Sequence, residues 1–232
     1  MHALVRFSEL VLENPRIEQI DINPLLVGEQ GLMALDARVV LHSPDRSEEA
    51  LPAPAIRPYP HQYVHDWELP GGSPVRIRPI RPDDEPLMVA FHETVSDQSV
   101  YWRYFIPMKL SRRIAHERLS RMCFIDYDRE LALVVETRAE GPQQILGVGR
   151  LCKVHGTDTG EFSILISDAY QRRGLGTRLL SDLIDAARSE KLGRIVGHML
   201  PDNRGMQSLC EALGFALEER LKDGDVEAVL SL

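Results

Sequence analysis

A glycine-bearing turn, Gln171-Arg172-Arg173-Gly174-Leu175-Gly176-Thr177, stands between a strand-like run, Glu161-Phe162-Ser163-Ile164-Leu165-Ile166, and a helical run from Leu175 to Lys191. A turn of this kind leaves backbone N–H groups unpaired and pointing one way. They lie at the positive end of the helix dipole, which suits a phosphate or diphosphate. Gly174 and Gly176 have no Cβ to hold a ligand off the main chain. Arg172, Arg173, Arg178 and Arg204 cluster around this turn and the next loop and can add positive charge, or form a solvated face. Glu161 starts the preceding strand, roughly 17 Å from its end at about 3.3 Å per residue. By itself it reads as an exposed strand-start carboxylate. Asn203 follows the next strand and suits a helix N-cap.

These residues need a scaffold of strands and helices, and the pattern from Val75 onward is α/β. Val75–Ile80 alternates as a strand, Asp83 can cap a helix bearing Leu87, Met88, Phe91 and Val95, and Ser111 can cap another. Strands are expected over Glu130–Arg138, Gln144–Lys153 and Gly160–Ser167. After the glycine turn and its helix come a strand at Arg194–Met199, a helical stripe Met206, Leu209, Cys210 and Leu213 stopped by Gly214, and a hairpin of Ala216–Arg220 and Val226–Leu230 around Asp223-Gly224.

Two other pieces precede this part. Residues 1–42 give a helix from Ala3 to Glu13, a strand from Ile17 to Ile22, a turn at Gly28-Glu29-Gln30-Gly31 and a strand from Leu32 to Leu41. That is too little to bury a core of its own, so it is expected to be the tail of a larger domain. Residues 43–74 hold seven prolines and are expected to form an extended linker, with Tyr59, Tyr63 and Trp67 tying down its second half. His61 and His65 are spaced as ligands on a helix, but the neighbouring prolines argue against that helix, and no metal site is expected.

Composition narrows the function classes. The chain has 232 residues, 44% of them hydrophobic and 27% charged, as in ordinary globular domains. Its net charge of −8 argues against general nucleic-acid binding. No apolar run is long enough to span a membrane, and the first residues lack the pattern of a signal peptide. Three scattered cysteines fit a reduced, cytoplasmic chain without a disulfide frame.

The order of antiparallel strands, phosphate turn, helix, strand and helix ending in Leu213-Gly214-Phe215 resembles the GNAT acetyltransferases over about residues 75–231. Their Gln/Arg-x-x-Gly-x-Gly/Ala motif is matched by Gln171, Gly174 and Gly176. Ile56-Arg57-Pro58-Tyr59-Pro60, Ile77-Arg78-Pro79-Ile80-Arg81-Pro82 and Ile125-Asp126-Tyr127-Asp128-Arg129-Glu130 resemble, more narrowly, the bacterial protein lysine acetyltransferases fused behind an ADP-forming acyl-CoA-synthetase-like region. Ile20-Asp21-Ile22-Asn23-Pro24-Leu25 and Ala34-Leu35-Asp36-Ala37-Arg38 are similar to the last strands of an ATP-grasp module, where the counterparts of Asn23 and Asp36 sit near metal and nucleotide. The remainder of that module is missing, which puts nucleotide binding by this piece in doubt.

The resemblance implies an α/β (α+β) GNAT fold, with a mixed, mostly antiparallel sheet flanked by helices. The implied domains are an ATP-grasp remnant at 1–42, a linker at 43–74 and the acetyltransferase at 75–232. It implies acetyl-CoA as donor, its diphosphate on the amides from Arg172 to Thr177, its pantetheine arm along the strand edge at Leu165 and Ile166 with a contact to Asn203, and Glu161 as general base. The implied acceptor is a protein with an exposed lysine, such as an acyl-CoA synthetase. A small-molecule amine acetyltransferase and a non-catalytic CoA-sensing module remain open. Many relatives place a tyrosine acid where this chain has Cys210, so the general acid is unassigned. Asp126 to Glu130 either receive a basic substrate segment or form a solvated turn.

Overall fold

The computed structural model describes residues 7, 8, 10, 11, 14–28, 31–47, 50–52, 57–138, 141–220 and 224–232. The chain divides into two compact units, Met1–Pro58 and Tyr59–Leu232.

In the first unit β1 (Ile17–Ile22) pairs antiparallel with β4 (Ala37–Leu41), and β2 (Leu25–Gly28) with β3 (Gly31–Ala34). The single strand expected over Leu32–Leu41 is thus two, broken between Ala34 and Ala37. The break is where Asn23 N–H donates to Asp36 O and Leu35 N–H to Pro24 O. Most of the expected Ala3–Glu13 helix lies outside the described residues, as do Glu29 and Gln30 of the expected turn. None of the described residues of this unit is buried. Leu25, Leu26, Val27, Leu32 and Met33 are all exposed, so the described residues of these short strand pairs form no apolar core.

The second unit is built on an eight-stranded sheet of order β11-β12-β10-β9-β8-β7-β6-β5. Its strands are β5 (His65–Glu68), β6 (Pro74–Pro79), β7 (Glu130–Thr137), β8 (Ile145–Lys153), β9 (Thr159–Ile166), β10 (Arg194–Met199), β11 (Ala216–Arg220) and β12 (Asp225–Ser231). Every pairing is antiparallel except β9 with β10. The expected turn residue Asp223 lies outside the described residues.

Helices cover both faces. On one lie α1 (Glu85–Glu93), α2 (Asp97–Tyr104), α3 (Leu110–Arg113) and α4 (His116–Cys123), where Met88, Phe91, Val100 and Leu119 pack with Val134, Val148 and Leu165 of the sheet. On the other lie α5 (Leu175–Ser189) and α6 (Arg204–Ala212), where Leu175, Leu179, Leu183 and Cys210 pack with Leu133, Leu151 and Phe162. Because both faces are covered, the central strands are apolar almost throughout rather than alternating.

Three sequence expectations change. The stretch expected as linker to residue 74 contains β5, which adds to the sheet edge against β6. β5 lies between Pro60 and Pro70, and Trp67 within it and Leu69 just after it pack into the core. Asp84, not Asp83, precedes α1, after a short 3-10 turn at Pro82–Asp84. Its carboxylate is held by Arg78 at 2.6 and 2.7 Å and accepts from Arg81 N–H at 2.7 Å. Ser111 lies inside α3; the caps of α3 and α4 are Lys109 and Ala115, neither with a side-chain hydrogen bond.

Candidate active site

The glycine turn is shaped by its own backbone. Gly174 is left-handed (φ 78°), as is Arg172 (φ 57°), and Gly174 occupies the N-cap position of α5. The first backbone donor of the helix is Arg178, bonded to Gly174 O at 3.0 Å. Among the described residues, no amide from Arg172 to Thr177 has a protein acceptor. Arg172, Arg173 and Thr177 are exposed, whereas the Leu175 side chain is fully buried in the core, so Leu175 offers a ligand only its N–H. The Arg173 guanidinium lies 5.4 Å from the Tyr170 ring centroid. Arg178 is turned aside, with its guanidinium 3.0 Å from Asp182 and 2.7 Å from His65 Nε2.

Gln171 does a different job. Its side-chain amide donates to Ser99 Oγ at 3.0 Å, Asp168 Oδ1 at 3.1 Å and the Ile166 carbonyl at 3.2 Å. Asp168 in turn accepts from Ser99 Oγ–H at 2.9 Å and Ser96 N–H at 3.2 Å. The turn is therefore pinned to the first turn of α2. The sequence reading missed α2, Ser99 and Asp168. The local signal was there, since Ser96 caps α2 by accepting from Ser99 N–H.

Beside the turn the sheet opens. The parallel rungs of β9 and β10 are Arg194 with Thr159, Ile195 with Gly160 and Val196 with Glu161, and they stop there. Beyond them β9 stays paired to β8 through Ile166, while β10 stays paired to β12 through Met199. The edge of β9 facing β10 is left unpaired at Leu165 and Ile166. The Phe162 ring of β9 lies over Gly197 of β10, where an added Cβ would stand 2.3 Å from Cε1. The ring also packs 5.3 Å from Phe215. The Leu165 side chain is buried toward α1–α4 and Ile166 is half-buried toward α5, so both present main chain to the slot. Asn203 caps α6 by accepting from Met206 N–H at 3.2 Å, and its amide nitrogen has no protein partner among the described residues.

Glu161 sits on the last rung before the opening, exposed, across from Cys152 of β8. It points to the face carrying α1–α4, together with Arg150 and Ser163. Arg103 of α2 interacts electrostatically with it; burial lowers the pKa of that guanidinium, which stacks 4.8 Å from the Tyr104 ring centroid. Burial pushes the Cys152 thiol up to about 11, so it stays protonated at neutral pH. Cys210 is fully buried and burial pushes its thiol up to about 12, which leaves it out of reach of any ligand.

The acidic stretch before β7 is largely tied up. Asp128 N–H donates to Asp126 Oδ1 at 3.0 Å, the Tyr127 hydroxyl donates to Ile80 O at 2.7 Å, and Glu130 is paired with Arg150. As the neighbouring prolines suggest, His61 and His65 do not share a helix. His61 is in a 3-10 turn, and His65 is on β5 beside Asp182 at 3.3 Å. The described cysteines are all free thiols, and no helix among the described residues is long and apolar enough to cross a membrane.

Comparison with known proteins agrees with this arrangement. Residues 75–216 match the acetyltransferase (GNAT) domain family, and residues 1–41 match an ATP-grasp domain family. The chain is 29% identical over 147 residues to acetyltransferase PA5475 of Pseudomonas aeruginosa, covering 63% of this chain and 77% of that protein. It is 26% identical over 139 residues to acetyltransferase Pat of Mycolicibacterium smegmatis, covering 60% of this chain and 40% of that protein. The crystal structure of the GNAT domain of S. lividans PAT superposes with a TM-score of 0.68 at 28% identity, over 75% of this chain and all of that one. Mycobacterium smegmatis RimJ, solved with CoA-disulfide, shares the fold at 19% identity and a TM-score of 0.57, over 72% of this chain and 86% of that one. The chain belongs to the GNAT acetyltransferases, enzymes that take an acyl group from acyl-CoA, and carries an ATP-grasp fragment before the catalytic domain.

Proposed function

We propose that this chain transfers an acetyl group from acetyl-CoA directly to lysine side chains of a protein, with Glu161 as general base, and that the catalytic domain runs from Tyr59 to Leu232. The carrying observation is a continuous path of unsatisfied groups. It starts at the open amides of Arg172 to Thr177, follows the unpaired edge of β9 at Ile166 and Leu165, and ends at Glu161. A diphosphate suits the first station and an extended amide-bearing pantetheine arm the second. Asn203, with its free amide nitrogen, suits the arm's far side.

At the third station the lysine nitrogen attacks the thioester carbonyl. The C–N bond forms, the C–S bond breaks, and CoA leaves as the thiolate. Glu161 takes the ammonium proton directly or through water. This proton is the barrier: a lysine of pKa about 10.4 is about 4.6 kcal/mol short of its neutral form at pH 7. Buried Cys210 takes no part, so the thiolate leaves without a protein acid at that position. The likeness to acetyltransferase Pat, and the synthetase-like fragment before the catalytic domain, support a protein acceptor such as an acyl-CoA synthetase.

The test is incubation of a cell lysate with isotope-labelled acetyl-CoA and the purified chain, read by mass spectrometry of tryptic peptides. Label on protein lysines with wild type and not with Glu161→Gln is expected. Label on free amines alone supports a small-molecule enzyme instead. Tight acetyl-CoA binding without any transfer supports a CoA-sensing module.

A further inference from the structure

β5 and the turn that follows it, through Ser73, precede residues 75–216, the span of the acetyltransferase family match, yet the tip of the β5–β6 hairpin reaches the phosphate turn. A Cβ built on Gly174 would have Pro70 Cγ as its neighbour, at 3.7 Å. A Cβ built on Gly176 would instead meet Ile166 Cδ1 at 3.3 Å and Leu209 Cδ2 at 3.4 Å. The turn thus has two flanks. The flank of Ile166 and Leu209 opens on the gap between β9 and β10, which the proposed function gives to the pantetheine arm. The flank of Pro70 faces the other way. A carrier whose diphosphate rests on the turn has two ends, and only its adenosine 3′-phosphate end remains for this side.

The tip is built to meet an anion. Leu69 N–H donates to Ser73 O at 3.0 Å and Gly72 N–H to Leu69 O at 2.9 Å, closing a turn with Gly71 at φ 113° and Gly72 at φ 85°. Those values exclude ordinary side chains and leave the main chain bare. Among the described residues, neither Gly71 N–H nor Ser73 N–H has a protein acceptor, and Ser73 is exposed.

The tip is also held in place. Leu69 is buried at 6% exposure in the core. The segment leading to it is tied along α5 at successive points. The Tyr63 hydroxyl donates to Glu190 at 2.9 Å, and His65 Nε2 lies 3.3 Å from Asp182 and 2.7 Å from Arg178. This fixed placement means no ordering of the loop is required when a ligand arrives.

The geometry points to the β5–β6 tip, with the amides of Gly71 and Ser73 and the Ser73 hydroxyl walled by Pro70, as a subsite for the adenosine 3′-phosphate of the acyl carrier. This rests on the proposed seating of the diphosphate on Arg172 to Thr177.

The test is isothermal titration calorimetry of the full chain with acetyl-CoA and with 3′-dephospho-acetyl-CoA. Wild type is expected to bind the dephospho compound about tenfold more weakly, the scale of one or two charge-assisted hydrogen bonds. Ser73→Asp is expected to weaken acetyl-CoA about tenfold while changing the dephospho compound less than twofold; Pro70→Asp repeats the test should Ser73→Asp unfold. Equal affinity of wild type for the two compounds overturns the subsite, as does equal weakening of both by either variant. Failure of the diphosphate reading looks different. Wild type then binds neither compound, or Gly174→Asp leaves both affinities unchanged, and the subsite falls with it.

Discussion

Replacing Glu161 with glutamine removes a proton acceptor and little else. The side chain is exposed and makes no hydrogen bond or ion pair among the described residues. Its backbone pairing to Cys152 and Val196 does not depend on the side chain. Stability should therefore change by no more than about 0.5 kcal/mol. The carboxylate stands five residues along β9 from Ile166, roughly 17 Å at strand spacing, beyond the screening length of about 8–10 Å at physiological salt. Acetyl-CoA affinity should then stay within about twofold. The whole effect falls on the chemical step, where loss of a positioned base lowers kcat by about 10²- to 10⁴-fold, or about 3–5 kcal/mol of barrier. The gap should narrow toward pH 10, where solvent supplies the neutral amine. The assay is steady-state turnover of a lysine peptide alongside calorimetric titration of acetyl-CoA. A variant with kcat within threefold of wild type at pH 7 refutes the base role, and one that loses cofactor affinity refutes the separation of the two stations.

At the turn, Gly174→Asp places a carboxylate near the proposed seat of the diphosphate. At about 5 Å and an effective dielectric constant of about 20 the repulsion is about 3 kcal/mol, a loss of about 10²-fold in acetyl-CoA affinity by calorimetry. Gly174→Ala has room, with Pro70 3.7 Å away. It should cost about 1–2 kcal/mol of stability from its left-handed backbone, with a much smaller change in affinity. Arg78→Met leaves Asp84 and Glu136, whose side chains are 4% and 7% exposed, as unpaired buried carboxylates. The unfolding free energy in urea should fall by about 3–5 kcal/mol. His92 is fully buried, and desolvation with the nearby Arg118, Arg113 and Arg150 lowers it to about 4. The unfolded chain, with a histidine pKa of about 6.5, then binds the proton more readily. Stability is full above pH 6.5 and falls as pH drops toward 4, by up to about 3 kcal/mol. His92→Gln should flatten that part of a pH series of urea midpoints.

The catalytic half was legible where a local pattern and a tertiary role coincide. The run Glu161 to Thr177 announced strand, turn and helix through alternating and glycine signals, and the structure places β9 and α5 within two residues of the expected bounds. The helix α2 was hidden because its sequence, DQSVYWRY, buries only Ser99 and Val100 and carries no apolar stripe. β5 was hidden because the prolines around it suggest an extended tether, and only pairing with β6 makes it a strand. Gln171 was expected at the ligand; its motif position is met, but its amide is taken by Ser99, Asp168 and Ile166. The burial of Arg78 was not legible, because alternation along Val75–Ile80 puts it on an outer face unless helices cover both sides of the sheet.

The attachment of α2 has a consequence for how donor and acceptor are kept in register. Ser96 and Ser99 at its start clasp Asp168 and Gln171, and Arg103 near its end interacts electrostatically with Glu161. Eight helical residues span about 12 Å and compress very little. The helix is a strut of set length between the proposed diphosphate seat and the proposed base. A shift at the turn is transmitted as a shift near Glu161, rather than being lost in a flexible connection.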